Sequence, residues 1–253
     1  MHALSEHVAR QFGHAAPRYD MHATLQYDVL KKVAALVTHH ICEHVPLLDV
    51  GAGTGRLAAL LPERNIIAID RAEGMCLHAQ RQRHLPAICA DATALPLRDA
   101  SCMTYVSSLC WQWVAHRAAI GELHRLLARD GIAIIATLHE ETFAELRDCF
   151  SALGLPQRML HFCKAEVLQE RFTAQPLHVI AYERQTYQQH FPSAQGFFRQ
   201  LHGIGATLSG DAPPLSVAHM RALTSHYDTH HRDAAGVCAS YEVGYWVVAH
   251  ERF

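Results

Sequence analysis

The chain has 253 residues, half of them hydrophobic, which is enough for one large α/β domain with an insertion or for two small domains around a sizeable core. Its formal charge of −2 excludes a global electrostatic bias toward nucleic acid or an anionic membrane. No apolar run reaches the ~20 residues of a membrane span, and the N-terminus lacks a signal-peptide core, so a cytoplasmic protein with no nucleic-acid or membrane partner is expected. Eight cysteines never form a C-x-x-C pair. They read as small core residues in a reducing compartment rather than as a disulfide framework or a zinc site. Of the 21 histidines, His226, His230 and His231 have helical spacing, but no carboxylate or thiol completes a ligand set, so no metal is expected.

In chain order, residues 22–42 form an amphipathic helix. Leu25, Val29, Val33, Leu36 and Val37 recur at the helical period opposite Lys31 and Lys32. The apolar step at 45–48 then leads into Asp49-Val50-Gly51-Ala52-Gly53-Thr54-Gly55, a strand end followed by three glycines at alternate positions and a helix near 55–62. Such spacing lets the backbone turn sharply and bring main-chain N–H groups against a ligand. A Walker loop is excluded because no Gly-Lys-Ser/Thr follows, and the nicotinamide fingerprint would need glycine where Arg56 stands. An acid two residues before a compact G-x-G-x-G is the pattern of S-adenosylmethionine (SAM) enzymes of the Rossmann-like class.

The downstream elements fit that unit. A second strand near 65–70 ends in Asp70, about 20 residues past the glycines, where such folds place a ribose-binding carboxylate. The other reading of Asp70 is a helix N-cap, since a helix near 72–83 follows. A third strand near 86–90 ends at Asp91-Ala92, positions suited to the adenine edge. Asp49, Gly51, Gly53, Gly55, Asp70, Asp91 and Ala92 are therefore the expected donor-binding residues. Strands near 102–107 and 131–138 flank a helix near 116–128, with Gly131 read as the helix-ending turn.

Beyond residue 138 the strict βα alternation breaks. Helices near 142–153 and 164–171 precede a strand-like run at 177–187. Helices near 194–202 and 216–230 then lead to a last strand at 241–248, which should pair antiparallel with its predecessor at the sheet edge. The expected architecture is a single α/β domain over residues 1–253, with N-terminal helices to about 44, a SAM-binding core at about 45–138, and a lid with closing strands beyond. The sheet is expected to be mostly parallel and seven-stranded, with helical insertions covering the carboxyl ends of its strands, where substrate is recognised.

Several blocks together resemble one family, the SAM-dependent methyltransferases that form the malonyl-carrier-protein methyl ester at the start of biotin synthesis. They are residues 12–26 (Phe12-Gly13-His14-Ala15-Ala16-Pro17-Arg18-Tyr19-Asp20 onward to Leu25-Gln26), Ser107 to Trp113, Thr142 to Arg147, and Phe198-Arg199-Gln200-Leu201-His202-Gly203-Ile204-Gly205-Ala206. The resemblance runs from about residue 8 to the C-terminus. The glycine motif is generic to the superfamily, whereas the N-terminal block, the Gln112-Trp113 pair and the Ile-Gly-Ala block are specific. Ser108 stands where the family has Asn, Cys102-Met103 where it has Phe-Asp, and His202 where Lys is common.

The resemblance implies SAM as co-substrate and malonyl-acyl-carrier protein or malonyl-CoA as acceptor. A carboxylate is already ionised at neutral pH, so its methylation needs no general base; the protein must exclude water and align the oxygen with the methyl group. Arg199, in the Arg-x-Leu block, is the expected clamp on the malonyl carboxylate, with Arg147 next in line; its other reading is a helix-surface arginine. Tyr19 is expected to shape the donor entrance or to pack in the core, and Gln112 to lie beside the methyl group. An acidic carrier needs a local basic patch, for which Lys31, Lys32, Arg81 and Arg83 qualify by charge alone. Methylation of another small carboxylate or a quinone precursor, and a silent SAM-binding adaptor, are the alternatives.

Overall fold

The computed structural model describes residues 2–41, 45–157, 159–206 and 215–250. Two helices, α1 (His2–His22) and α2 (Thr24–His40), precede the alternating core. That core runs β1 (Leu47–Val50), α3 (Leu57–Leu60), β2 (Ile66–Asp70), α4 (Glu73–Arg83), β3 (Ala87–Cys89), β4 (Cys102–Ser108), a 3-10 turn at Trp111–Trp113, α5 (His116–Leu126) and β5 (Leu127–Leu138). The C-terminal part adds α6 (Ala144–Ala152), α7 (Ala165–Thr173), β6 (Leu177–Phe191), α8 (Ala194–Gly203), α9 (Val217–His230), β7 (Arg232–Asp233) and β8 (Gly236–His250).

The strands form one sheet in the order β3-β2-β1-β4-β5-β8-β6, with the two-residue β7 attached to β8. β1 to β5 are parallel, and β8 runs antiparallel to both β5 and β6. The central strands β1, β4 and β5 are largely buried on both faces, as parallel strands connected by helices require, whereas the edge strand β6 is mostly part-exposed. Alternate residues serve the two cores: Leu47, Val106 and Ile134 pack with α2, α6, α8 and α9, while Leu48, Tyr105, Ala133 and Ile135 pack with α5 and α7.

Several boundaries differ from expectation. The helix expected to reach 128 stops at Leu126, and β5 begins at Leu127 rather than near 131 because Leu127 already pairs with Cys102 across a bulge. Gly131 therefore sits inside that strand, where a Cβ would come 2.8 Å from the Cys102 carbonyl oxygen. The last two long strands extend to Phe191 and from Gly236, since their pairing continues from Leu177↔His250 to Phe191↔Val237. Not all the late helices form a lid. Leu168 and Phe172 of α7 join the core beneath Trp111 and Trp246, so α7 supports the sheet instead.

The roof over the carboxyl ends of the strands comes largely from α1, which crosses α4 closely: a Cβ on Gly74 would lie 2.5 Å from the Gly13 carbonyl oxygen. α1 is fastened to the glycine turn through Asp20. Its carboxylate accepts hydrogen bonds from the Thr54 hydroxyl at 2.7 Å and from Arg83 Nη2 at 2.7 Å, while Arg83 Nε donates to the Thr54 carbonyl at 2.8 Å. α8 lies alongside, with Gln200 Nε2 donating to the His22 carbonyl at 2.6 Å. Ser193 caps α8, accepting from the Gly196 N–H.

Among the described residues no helix is long and apolar enough to cross a membrane. Seven cysteines are free thiols; Cys42 lies outside the described residues.

Candidate active site

The chain turns at the end of β1 because Gly51, Gly53 and Gly55 all take positive φ, at 77°, 55° and 76°, a region that side chains disfavour. Their surroundings separate their duties. A Cβ on Gly51 would lie 2.3 Å from the Cys110 Cβ, and one on Gly55 2.7 Å from Leu85 Cδ1, so both allow close packing, and Gly51 lines the ligand cleft as well. At Gly53 a Cβ would meet nothing within 4 Å among protein atoms. Gly53 lines a cleft of ≈ 750 Å³ with Asp70, Asp91, Ala92, Met75 and Trp113.

Asp70, at the end of β2, accepts the Gly53 N–H at 2.8 Å through Oδ2 and the Ala72 N–H at 2.8 Å through Oδ1. The two readings of Asp70 coincide: it steadies the start of α4 and faces the cleft. Burial raises its pKa, and the backbone hydrogen bonds from Ala72, Gly53 and Arg71 oppose the rise. Asp49 is buried beneath the turn, and burial, reinforced by the charge of Asp70, pushes its carboxyl up to about 7. Asp91 lines the cleft with one oxygen on the Thr93 N–H and hydroxyl, at 2.9 and 2.7 Å, and the other on Arg71. Arg71 was not anticipated from sequence, although its place directly after the β2 acid made it a candidate.

A second cavity of ≈ 640 Å³ adjoins the first. Phe12, Tyr19, Leu109 and Trp113 line both and form the wall between them. The remaining lining is chiefly apolar, including Leu25, Leu138, Phe143, Phe162, Leu201 and Ile204, with Gln26, Gln112 and Tyr241 as its polar members. Tyr19 also borders a third recess beside Asp49 and Gly51, and burial holds its phenol protonated by raising its pKa. Gln112 is fixed at both ends, donating to the Leu109 carbonyl at 2.8 Å and accepting from the Thr137 hydroxyl at 3.3 Å. Trp113 meets Phe12 edge to face at 5.4 Å. Trp111 turns away into the core, where its indole donates to the Tyr105 hydroxyl.

The expected arginine clamp is not at this cavity. Arg199 is exposed and lines none of the three recesses. The reason is helical geometry: Phe197 and Leu201 share the inward face of α8, continued by Ile204 directly after it, and position 199 falls opposite. Arg147 does not line it either; its guanidinium donates to the Thr142 carbonyl at 2.6 Å. Among the described residues, no cation and no histidine lines the apolar cavity, and no group of three metal-ligating side chains exists. His226 and His230 instead stack on each other at 4.0 Å.

A glycine turn after β1, an acid ending β2, another after β3 and an antiparallel strand inserted at the far edge define a methyltransferase of the Rossmann-like class. A family model described as a methyltransferase domain matches residues 48–135. The fold is shared with a putative methyltransferase of Bacillus halodurans at TM-score 0.63 and 12% identity, covering 88% of this chain and 99% of that one. Over nearly its whole length the chain is 31% identical to the malonyl-[acyl-carrier protein] O-methyltransferase of Methylococcus capsulatus, covering 93% of this chain and 90% of the relative. It is also 31% identical to that of Pectobacterium atrosepticum, covering 95% of each. The chain belongs to the malonyl-[acyl-carrier protein] O-methyltransferase family.

Proposed function

We propose that the protein transfers a methyl group from SAM to the free carboxylate of a malonyl thioester, carried on acyl-carrier protein or CoA, giving the methyl ester that primes biotin synthesis. The single observation that carries this reading is the pair of adjoining cavities sharing the Phe12–Tyr19–Leu109–Trp113 wall. One suits a nucleoside and the other a short acyl chain.

The chain's own residues fit the donor. Open space in front of Gly53 admits a ligand against the backbone. Asp70 keeps acceptor capacity for ribose hydroxyls beyond its backbone bonds, and Asp91 with Ala92 borders the end where the adenine would sit. When bound, SAM supplies an electrophilic methyl group and the positive charge of its sulfonium. The protein's part is to hold an acyl carboxylate against that centre and keep water away.

Neutral donors suit this task better than an arginine. Carboxylate and sulfonium are both consumed in forming a neutral ester and a neutral thioether, so a low-dielectric cavity favours the charge-cancelling step. A cation fixed on the carboxylate would stabilise the reactant charge that must disappear. Tyr19 at the shared wall, with its phenol kept protonated, and Gln26 within the acyl cavity are the available donors, and Gln112 shapes the floor through its two fixed bonds.

Incubation with methyl-labelled SAM and either malonyl-carrier protein, malonyl-CoA or a free dicarboxylate tests the assignment. Label should pass to the thioesters as a base-labile ester. Transfer only to the free dicarboxylate, or to none of the three, would overturn it.

A further inference from the structure

Three of the four basic residues named from sequence are poor candidates for receiving an acidic carrier. Lys31 pairs with Asp28, Lys32 with Glu183 and Arg83 with Asp20, so these three are already neutralised within the fold. The roof over the apolar cavity is different. Phe12, Ala16 and Tyr19 of α1 point inward, and Arg10, His14 and Arg18, at successive i, i+4 steps on the outer face, are all exposed. Met21, on the same face, is 70% exposed. On α8 alongside, Arg199 and His202 are exposed. The two helices make one continuous surface, since Gln200 bonds to the His22 carbonyl and a Cβ on Gly203 would lie 2.8 Å from the His22 ring.

Arg10, Arg18 and Arg199 take part in no salt bridge among the described residues. α8 carries no acid, and of the two acids on α1, Asp20 is turned inward onto Thr54 and Arg83 while Glu6 lies toward the N-terminal end. Arg10 and Arg18 stand two helical turns apart on one exposed face with no salt-bridge partner among the described residues, so the two guanidinium charges are left to face an anionic partner.

We propose that the outer face of the α1–α8 roof, formed by Arg10, His14 and Arg18 with Arg199 and His202, docks the acidic acyl-carrier protein. The inference rests on the malonyl-thioester reading of the cavity beneath. The same two helices supply cavity walls through Phe12, Tyr19, Leu201 and Ile204, so a carrier seated on them delivers its arm at the edge of the roof. Methionine and arginine are both enriched at protein interfaces, and this face exposes Met21 beside its arginines. The role of Arg199 thereby moves from the carboxylate to the carrier.

The test is direct binding of malonyl-carrier protein to the full-length enzyme, with turnover measured in parallel on malonyl-carrier protein and on malonyl-pantetheine, which has no protein surface to dock. Arg10→Glu/Arg18→Glu should weaken carrier binding about tenfold or more. The wild-type affinity should fall steeply between low and ~0.5 M salt, where the screening length is a few ångströms, and the variant's should change little. Malonyl-pantetheine turnover and melting temperature should stay near wild type. Undiminished carrier binding by the folded variant would overturn the proposal, as would an equal loss on malonyl-pantetheine. So would wild-type binding to anionic lipid vesicles with no affinity for the carrier. Because carrier binding is measured without turnover, failure of the docking surface is distinguishable from failure of the methyl-transfer reading, which would show as no methylation of either thioester by wild type.

Discussion

Three glycines in one turn have three different neighbours, and the consequences of replacing them should differ accordingly. Gly53→Val places a branched side chain into the cleft at a φ of 55°. It should abolish SAM binding in calorimetry, and because a β-branched residue is strained at that φ it should also lower the melting temperature. Gly51→Ala must displace Cys110, so its damage should appear in stability first. Asp70→Ala removes the acceptor for the Gly53 and Ala72 N–H groups and for the donor's ribose. SAM affinity should fall by about 1.5–3 kcal/mol, the usual range for hydrogen bonds to a charged group. Undiminished affinity would refute the ribose assignment. Asp49 gives a pH signature. Its folded pKa, near 7, lies above the ordinary 3.8, so between those values the native state holds a proton that the unfolded chain has lost. Stability therefore falls as pH rises from about 4 to 7 and levels above that. Asp49→Asn should remove that slope, gaining up to about 4 kcal/mol at pH 7.5 relative to wild type, as read by urea unfolding at a series of pH values.

At the scale of elements, α1 is fastened to the glycine turn by the part-buried Asp20 latch. Asp20→Ala deprives the buried Thr54 hydroxyl and the Arg83 guanidinium of their shared acceptor. It should cost about 1–3 kcal/mol and weaken SAM binding as the roof loosens, measured by melting and calorimetry together. α1 also marks what the sequence could reveal. Its residues were legible as a motif, but not its place as the roof, because its inward face is built from Ala9, Phe12, Gly13 and Ala16 rather than a strong apolar stripe. The strands β1 to β4 were legible because each is a short apolar run ending in a glycine turn, an acid or a serine. The onset of β5 was not, since Leu127 follows directly on a helix and only its pairing with Cys102 marks it as strand. The outward aim of Arg199 was readable from the spacing of Phe197, Leu201 and Ile204; the motif drew attention to the residue type and away from its phase on the helix.

For the molecule as a whole, the arrangement is a polar nucleoside cleft opening through an aromatic and aliphatic wall onto an acyl cavity whose lining, among the described residues, carries no charge. If the cavity has no cation of its own, the acyl carboxylate finds its counter-charge only on the donor, and binding of acceptor and donor must be coupled. Two unit charges about 4 Å apart attract by roughly 4 kcal/mol at an effective dielectric near 20. Part of that is offset by desolvation of the carboxylate. Malonyl-pantetheine should consequently bind at least about tenfold more tightly, or about 1.4 kcal/mol, to enzyme loaded with a cationic amine analogue of SAM than to enzyme loaded with neutral S-adenosylhomocysteine. The methyl ester product, which carries no charge, should show no such preference. Calorimetric titrations of the two loaded forms decide the matter. Equal affinity of the malonyl thioester for both would mean that a protein cation reaches the carboxylate after all, and that the cavity's neutrality is not what drives the transfer.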